Sequence, residues 1–367
     1  MAKLMIPSGP DELAPEWLTQ ALRQTGTITN ATIKSFDTTI LGEGAGFMGQ
    51  LAQVAPHYEG SEAAAPRSLI AKFPSNIAEN REVGNIFRFY EREIRFYEEI
   101  ADEVELRTPR CYYGAMDVDA DRYVLLLEDM APARVGDQLV GCSQQEAELA
   151  IRELAKFHAS WWESPRLAEM DWMPAANDPA QIEAVEGSYR DTWEAFLERF
   201  GSKLPTSMLE IGERLGNSIA EIMNENAEPP GTIMHGDYRL DNLFFATPEG
   251  GDPLAVIDWQ IAFRGRGTFD VAYFMSGCLP PEERRVKEMD ILKSYHRTLT
   301  RNGVQGYEFE QCLHDYRLAT LFCLVYPVIG GGSVDMGNER GVALWDAILE
   351  RNVAAILDLN AGELLPK

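Results

Sequence analysis

One short segment of the chain carries polar residues whose types and spacing suit phosphoryl transfer. The segment runs Ile233-Met-His-Gly-Asp-Tyr-Arg-Leu-Asp-Asn-Leu-Phe-Phe245 and contains His-x-Asp-x-x-x-x-Asn, the spacing of a phosphotransferase catalytic loop. Asp237 would orient an acceptor hydroxyl and receive its proton, and Arg239 would contact the phosphoryl group as it moves. We therefore predict Asp237 and Arg239 as the catalytic residues.

Side chains that could bind a magnesium ion through oxygen lie in the same part of the chain. Asn242 closes the motif, and Asp258 follows the apolar run Leu254-Ala-Val-Ile257, which predicts a strand that delivers a carboxylate to a cleft. Mg²⁺ prefers hard oxygen donors, and it neutralises charge on the β- and γ-phosphates of a nucleotide. We predict Asn242 and Asp258 as the ligands of Mg²⁺.

A glycine-rich stretch near the start of the chain would allow close approach to phosphates. Gly44, Gly46 and Gly49 form Gly-x-Gly-x-x-Gly, and glycines let backbone N–H groups come near a phosphate. Dinucleotide-binding folds share this pattern, but there a helix follows the glycines directly. Here the short run Gln50–Val54 is followed by Pro56, which favours a hairpin that covers the phosphates.

One cation lies inside a predicted apolar strand, where it needs a negatively charged partner. Lys72 occurs in Ser68-Leu-Ile-Ala-Lys-Phe73, and a charge in such a strand is costly unless it is paired. Nucleotide phosphates and a carboxylate on a helix would provide the pairing. Glu91 and Glu93 both flank the apolar stripe of a helix predicted over Ile77–Asp102, and periodicity does not distinguish them.

The elements around these residues predict an α+β protein with two lobes, β-rich at the N-terminus and mainly α-helical at the C-terminus. We predict a nucleotide-binding lobe over residues 1–130 and a catalytic and substrate-binding lobe over residues 131–367. A cleft between lobes is a common ligand site. Glu128 and Met130, in the interlobe segment Leu125-Leu-Leu-Glu-Asp-Met130, would meet the nucleotide base through their backbone groups.

Composition and charge narrow the range of partners. The net charge of −25 and the pI of about 4.6 oppose binding to nucleic acid and to anionic membranes. The five cysteines are scattered without a Cys-x-x-Cys pair, as is typical of reduced thiols in the cytosol, and the N-terminal residues lack a continuous apolar signal core. We expect a cytoplasmic protein that acts on a small molecule; the sequence does not indicate its oligomeric state.

The motifs resemble those of the aminoglycoside phosphotransferase and choline kinase superfamily. The segments HGDYRLDN, LLLEDM, REIRFY and FHASWW are most similar to its ecdysteroid kinase-like branch, and also resemble kinase-type domains that act on hydroxyacyl thioesters. The resemblance covers nearly the whole chain and implies a protein-kinase-like fold, ATP as donor and an alcohol hydroxyl as acceptor. It also implies that Glu93, in Glu-x-x-Phe-Tyr, pairs with Lys72, that His235 packs beneath the catalytic loop, and that Asp270 braces the loop.

Several functions are compatible with these motifs. An aminoglycoside or choline-type phosphotransferase would share them, as would a pseudokinase that binds nucleotide without transferring phosphate. A metal-dependent hydrolase would use His235, Asp237, Asp241 and Asp258 as ligands, although such a cluster would want more histidines than the five in the chain. The resemblance implies a hydroxyl on a large apolar scaffold, such as a sterol-like compound or a hydroxyacyl thioester, and the aromatic residues of the C-terminal lobe disfavour a charged amino sugar. The choice between ATP and GTP stays open.

Overall fold

The computed structural model describes residues 4–42, 49–60, 62–333 and 339–366. The chain divides into two compact units. The first contains Met1–Ala133 together with two later segments, Thr247–Gly251 and Ala255–Gln260. The second contains the remainder of the chain, which comprises Arg134–Ala246, Asp252–Leu254 and Ile261–Lys367.

The first unit is built around an antiparallel sheet of five strands. Its elements are α1 (Pro15–Gln24), β1 (Thr32–Leu41), β2 (Gly49–Glu59), β3 (Leu69–Pro74), α2 (Ala78–Ile86), α3 (Phe89–Glu99), β4 (Cys111–Asp117) and β5 (Arg122–Glu128). The strand order is β1-β2-β3-β5-β4, and every neighbouring pair is antiparallel. The sheet therefore places β3 at its centre, where hydrogen bonds to both neighbours hold the strand.

Alternation along β3 determines which face Lys72 occupies. Leu69, Ala71 and Phe73 are buried in an apolar core that also includes Leu18 and other residues of α1. Successive side chains of a strand point to opposite faces of its sheet. Lys72 consequently lies on the face opposite to this core, with its backbone locked between β2 and β5.

The single helix predicted over Ile77–Asp102 is wrong, because the structure contains two helices there. Between α2 and α3, Arg88 adopts a left-handed conformation with φ of 55°. The ring of Tyr90 packs over Gly84, where a Cβ atom would lie 2.8 Å from the ring. The missing side chain of Gly84 leaves room for the ring of Tyr90 from α3 to pack on α2. The apolar periodicity of the segment does not reveal this break.

The second unit is mainly helical. Most residues of the remaining elements belong to it: β6 (Arg134–Val135), α4 (Gln144–Trp161), α5 (Pro179–Phe200), α6 (Thr206–Gly216), α7 (Ile219–Ala227), β7 (Thr232–Met234), β8 (Leu243–Thr247), β9 (Gly250–Val256), β10 (Phe263–Gly265), α8 (Thr268–Cys278), α9 (Pro281–Arg301), α10 (Phe309–Phe322), α11 (Val325–Ser333) and α12 (Glu339–Asp358). β7 pairs with β10, and a three-stranded sheet has the order β6-β8-β9. The predicted α+β class, with a β-rich N-terminal part and a helical C-terminal part, is confirmed.

Buried apolar helices form the core of the second unit. α8 is buried along nearly its whole length, from Thr268 to Cys278. The stretch Phe309–Ser333, which includes α10 and α11, is long and apolar enough to resemble a membrane span by composition, but 72% of its most apolar window is buried inside the protein. That burial is typical of a core helix.

Candidate active site

The predicted catalytic loop connects β7 to β8 and turns at Gly236. This glycine has φ of +83°, in the left-handed region that favours glycine. A Cβ atom there would lie 2.5 Å from the carbonyl oxygen of Ile261 and 3.1 Å from the ring of Phe263. Both the backbone angle and the lack of space therefore require glycine between His235 and Asp237.

A buried carboxylate holds the backbone of this turn. Asp270, near the start of α8, accepts hydrogen bonds from the backbone N–H groups of His235, at 2.7 Å, and of Gly236, at 2.9 Å. Its Oδ2 atom also lies 3.3 Å from Nε2 of His158. The Nδ1 atom of His235 in turn accepts a hydrogen bond from the backbone N–H of Asp237 at 3.1 Å. Asp270 and His235 thus both form hydrogen bonds with the backbone of the loop, as the resemblance implied.

The carboxylate of Asp237 is held by two neighbours from the same motif. Nε of Arg239 donates to Oδ2 at 3.0 Å, and Nδ2 of Asn242 donates to the same oxygen at 2.9 Å. Asn242 also donates to the backbone carbonyl of Asp237 at 2.9 Å. The Asp237 side chain is 18% exposed, so the carboxylate is oriented by the protein and still reaches solvent.

Arg239 joins the loop to a segment that the sequence analysis did not single out. Its NH1 nitrogen donates to Oδ2 of Asp241 at 2.8 Å and to Oε1 of Gln138 at 3.1 Å. The negative charge of Asp237, outweighing burial, raises the pKa of Arg239, and Asp241 adds to this effect. Asp241 was visible as a charged residue within the motif, whereas Gln138 lies far away in sequence and carries no motif signal.

A second group of predicted residues lies within the first unit. Nζ of Lys72 is 2.7 Å from Oε2 of Glu93 and 2.7 Å from Oδ1 of Asp258. The three side chains are 14%, 3% and 23% exposed, respectively. Burial opposes the charge of Lys72, but the two carboxylates outweigh it and raise the pKa of the ammonium group. For Glu93, burial is the larger effect and raises the pKa of the carboxyl group.

The structure also distinguishes the two candidate glutamates of α3. Glu93 faces Lys72, whereas Glu91 binds Arg88, at 2.7 Å, and Arg95, at 3.2 Å. The guanidinium of Arg88 lowers the pKa of Glu91 by hydrogen bonding, with a smaller contribution from Arg95. Glu91 is therefore part of a helix-surface ion-pair network, and Glu93 is the partner of the strand lysine.

Asp258 is held at its position by the residues that follow it. It has φ of 67°, which is uncommon for a residue other than glycine and is often found at functional sites. The buried ring of Trp259 stacks on Phe96 of α3, with centroids 3.9 Å apart, and its backbone N–H bonds to Glu93. Gln260 donates from Nε2 to Oδ2 of Asp258 at 3.3 Å. The turn after β9 is thereby fixed to the helix that carries Glu93.

The remaining predicted nucleotide contacts have varied surroundings. The side chain of Glu128, at the end of β5, binds Arg107 at 2.7 Å, and its backbone N–H donates to the carbonyl of Arg110 at 2.9 Å. Met130 is buried, and its carbonyl accepts a hydrogen bond from Ala133. Gly49 begins β2, where a Cβ atom would lie 2.9 Å from the carbonyl of Phe73. The predictions for Gly44 and Gly46 lie outside the described residues.

The chemistry of the predicted metal ligands fits a hard divalent cation. The amide nitrogen of Asn242 is used within the loop, so its amide oxygen is the atom available to a cation. Asp258 supplies a carboxylate, and Mg²⁺ is usually bound by one or two such groups together with waters and substrate phosphates. Within the described parts of the chain, no group of three or more His, Cys, Asp or Glu residues could hold a metal by itself.

The sequence of the chain is similar to that of known proteins. The sequence model of the ecdysteroid kinase-like family matches residues 43–304. A kinase-like protein of Caenorhabditis elegans, itself uncharacterized, is 24% identical over 78% of this chain and 79% of its own length. Acyl-CoA dehydrogenase family member 10 of Mus musculus is 33% identical over 26% of this chain, and member 11 of Gallus gallus is 30% identical over 22%. The matched segments span only 10% of the length of each of these two dehydrogenase family members.

Solved structures share the fold at low sequence identity. A candidate aminoglycoside phosphotransferase of Ralstonia eutropha JMP134 has a TM-score of 0.56, at 16% identity, over 95% of this chain and 98% of its own. Aminoglycoside 2′-phosphotransferase-IIIa, solved with GDP, has a TM-score of 0.51, at 15% identity, over 92% and 97%. The ethanolamine kinase of Plasmodium vivax has a TM-score of 0.52, at 12% identity, over 94% and 86%. At these identities the likeness establishes the fold alone.

Proposed function

The chain belongs to the ecdysteroid kinase-like family, and on that premise we propose that it is a small-molecule kinase that transfers the γ-phosphoryl group of ATP, with Mg²⁺, to an alcohol hydroxyl. The observation that carries the proposal is the position of Asp237. Its carboxylate is oriented by Arg239 and Asn242 on a loop whose turn is held by Asp270. An oriented, partly exposed carboxylate suits the removal of a proton from a hydroxyl nucleophile.

The two oxygens of Asp237 have different roles in this proposal. Arg239 and Asn242 both donate to Oδ2, so Oδ1 is the oxygen that we assign to the acceptor hydroxyl. The acceptor oxygen forms its bond to the γ-phosphorus as the bond between the γ-phosphorus and the bridging oxygen breaks. The hydroxyl proton passes to Oδ1 of Asp237, and ADP leaves with the bridging oxygen.

The residues of the first unit are proposed to bind the nucleotide. Lys72, held in place by Glu93 and Asp258, would contact its phosphates. The backbone groups of Glu128 and Met130 would contact the base, and the glycines around Gly49 would cover the phosphates. Magnesium, bound by Asn242 and Asp258, would supply charge neutralisation at the β- and γ-phosphates.

We propose that the acceptor is a small metabolite with an apolar scaffold, such as a sterol-like alcohol or a hydroxyacyl compound. Two half-buried tyrosines support this proposal, because the ring centroids of Tyr273 and Tyr326 lie 5.0 Å apart. Burial raises the pKa of both hydroxyl groups, and the negative charge of Asp237 raises it further. An aromatic wall beside the proposed base favours an apolar acceptor over a polycationic sugar. The net charge of −25 supports the proposal that neither nucleic acid nor a membrane is a partner. The scattered cysteines support a cytoplasmic enzyme.

Incubation with ATP or GTP, Mg²⁺ and a panel of hydroxylated metabolites tests the proposal, with mass spectrometry as the readout. We expect an acceptor that gains one phosphoryl group while one equivalent of ADP or GDP is released. Asp237→Asn should bind nucleotide as the parent does and transfer phosphate at least roughly a hundred times more slowly. Release of free phosphate alone would indicate an ATPase, and nucleotide binding without turnover on any acceptor would indicate a pseudokinase.

A further inference from the structure

Two fully buried side chains lie behind the carboxylate that braces the catalytic loop. Nε2 of His158 is 3.3 Å from Oδ2 of Asp270, and Nδ1 of His158 is 2.9 Å from the hydroxyl oxygen of Tyr295. All three residues are 0% exposed. The histidine, on α4, therefore joins α9, which carries Tyr295, to α8, which carries Asp270.

The partners of His158 determine which of its ring nitrogens carries the proton. Asp270 accepts hydrogen bonds from the backbone N–H groups of His235 and Gly236, so its carboxylate is an acceptor and Nε2 is the donor. Burial raises the pKa of the Tyr295 hydroxyl, which therefore keeps its proton and donates it to Nδ1. A buried hydroxyl that donated to nothing would be costly. His158 is thus a neutral imidazole that accepts from Tyr295 and donates to Asp270.

The histidine and the tyrosine pack directly on the backbone at the start of α8. A Cβ atom on Gly267 would lie 2.6 Å from Nδ1 of His158 and 2.7 Å from the hydroxyl oxygen of Tyr295. The pair is therefore seated three residues before Asp270. In addition, the hydroxyl of Thr232 donates to the backbone carbonyl of His158 at 2.8 Å, which joins α4 to β7, the strand that leads into the catalytic loop.

A third donor matters to Asp270 because its carboxylate is completely removed from water. A buried carboxylate needs hydrogen bonds or a cation to compensate for its lost solvation. Two of its donors belong to the turn that it holds, whereas the donor from His158 comes from outside the loop. Because the terminal torsion of an aspartate is broad, a fixed donor on one oxygen selects the rotation of the carboxylate.

We propose that His158 and Tyr295 are positioning residues of the catalytic loop. Tyr295 fixes the tautomer and the ring orientation of His158, and His158 in turn holds the Asp270 carboxylate in the rotation that receives both N–H groups of the turn. This inference rests on the proposed function, because that turn carries the proposed base, Asp237. The two residues act through Asp270, so their loss should lower kcat and leave the KM for ATP nearly unchanged.

Tyr295→Phe and Tyr316→Phe form a matched pair of variants. Both tyrosines are 0% exposed, and each variant loses one buried hydrogen bond, which in Tyr316 goes to Oε1 of Glu288 at 2.8 Å. Tyr316→Phe therefore measures the general cost of a lost buried hydroxyl. Amide hydrogen exchange of the ligand-free protein at His235 and Gly236 should be at least about five-fold faster in Tyr295→Phe than in Tyr316→Phe.

Variants of His158 test which ring nitrogen matters. The amide nitrogen of a glutamine reaches about as far as Nε2 of a histidine, whereas that of an asparagine reaches about as far as Nδ1. On the acceptor that the metabolite panel identifies, His158→Gln should keep a donor for Asp270 and retain kcat within about three-fold of the parent. His158→Asn should lower kcat on the order of ten- to a hundred-fold, with the KM for ATP within about two-fold of the parent in both variants.

Nitrogen NMR of the parent protein should show a neutral His158 ring with its proton on Nε2. Together with faster exchange in Tyr295→Phe and rescue of kcat by glutamine, this result would support the proposal. Equal exchange in the two tyrosine variants, equal kcat in the two histidine variants, or a proton on Nδ1 would overturn it. The exchange and NMR measurements need no substrate, so they decide this inference even if the parent transfers no phosphate, a result that would count against the proposed function alone.

Discussion

The ion-pair cluster around Lys72 gives the sharpest prediction about stability. In Lys72→Met, a side chain of similar length replaces the cation that lies 2.7 Å from each of two carboxylates. The side chain of Glu93 is almost completely buried, and that of Asp258 is largely buried. The variant therefore leaves two poorly solvated carboxylates without their counter-ion. The same feature that would position a phosphate-binding lysine therefore makes its removal costly.

The expected cost follows from burial. Removal of one partner from a buried ion pair typically lowers the free energy of unfolding by about 3–5 kcal/mol, because the remaining charge is uncompensated. Glu93→Gln in addition to Lys72→Met removes the more deeply buried of the two carboxylates. The double variant should therefore regain about half or more of the lost stability.

The cost should also depend on pH in a definite direction. Burial already raises the pKa of Glu93 above its ordinary value of 4.5 in the parent, and the loss of Lys72 removes an interaction that lowers it. A carboxyl group whose pKa is higher in the folded state than in the unfolded state contributes its stability at low pH and loses it as pH rises through the folded pKa. The destabilisation by Lys72→Met should thus be small near pH 5 and grow toward pH 8.

Urea denaturation of the nucleotide-free protein at pH 5, 6, 7 and 8 measures these effects. Lys34→Met is the matched control, because Lys34 lies on β1 of the same sheet and is 2.7 Å from Glu59, but these side chains are 59% and 69% exposed. Exposed pairs contribute little, so the control should change stability only slightly at any pH. A cost for Lys72→Met that equals that of the control, or one that is independent of pH, would refute the electrostatic reasoning.

Two further predictions concern the turn of the catalytic loop. Gly236→Ala should lower the free energy of unfolding by about 2 kcal/mol or more, because it adds a clash with the Ile261 carbonyl to the cost of a positive φ. Gly303 has φ of +99° and open space around it, so Gly303→Ala measures the backbone cost alone. In urea denaturation, Gly303→Ala should destabilise the protein less than Gly236→Ala does. Asp270→Asn should cost about 1–3 kcal/mol, because one of two buried backbone N–H groups, those of His235 and Gly236, loses its acceptor. Hydrogen exchange should become faster at these two amides and stay unchanged in α1, and an unaltered exchange rate at both would count against the assigned role of Asp270.

Local patterns were sufficient for those parts of the site that lie within one segment. The spacing of Asp237, Arg239 and Asn242 places three side chains on one tight loop, where they contact each other as neighbours in sequence. Lys72 could be identified because a single cation within an apolar strand is costly unless it is paired. The α+β class likewise follows from the local periodicities of strands and helices.

The partners of these residues depended on tertiary structure. Glu91 and Glu93 both flank one apolar stripe, and only the packing of α3 against the sheet turns Glu93 to Lys72. The break at Arg88 depends on the packing of Tyr90 against Gly84, which a helical period does not record.

Gln138 is the clearest case of a residue that sequence reasoning missed. It has no motif around it, and it reaches Arg239 across 101 positions of the chain. The turn that contains Asp258 likewise joins the first unit although it lies more than a hundred residues beyond Ala133. Residue type and spacing determine which groups can do chemistry. The burial and close packing of distant segments decide which partner each charged group contacts. The reason is that an ion pair is stabilised by proximity in space and leaves no periodic pattern in the sequence.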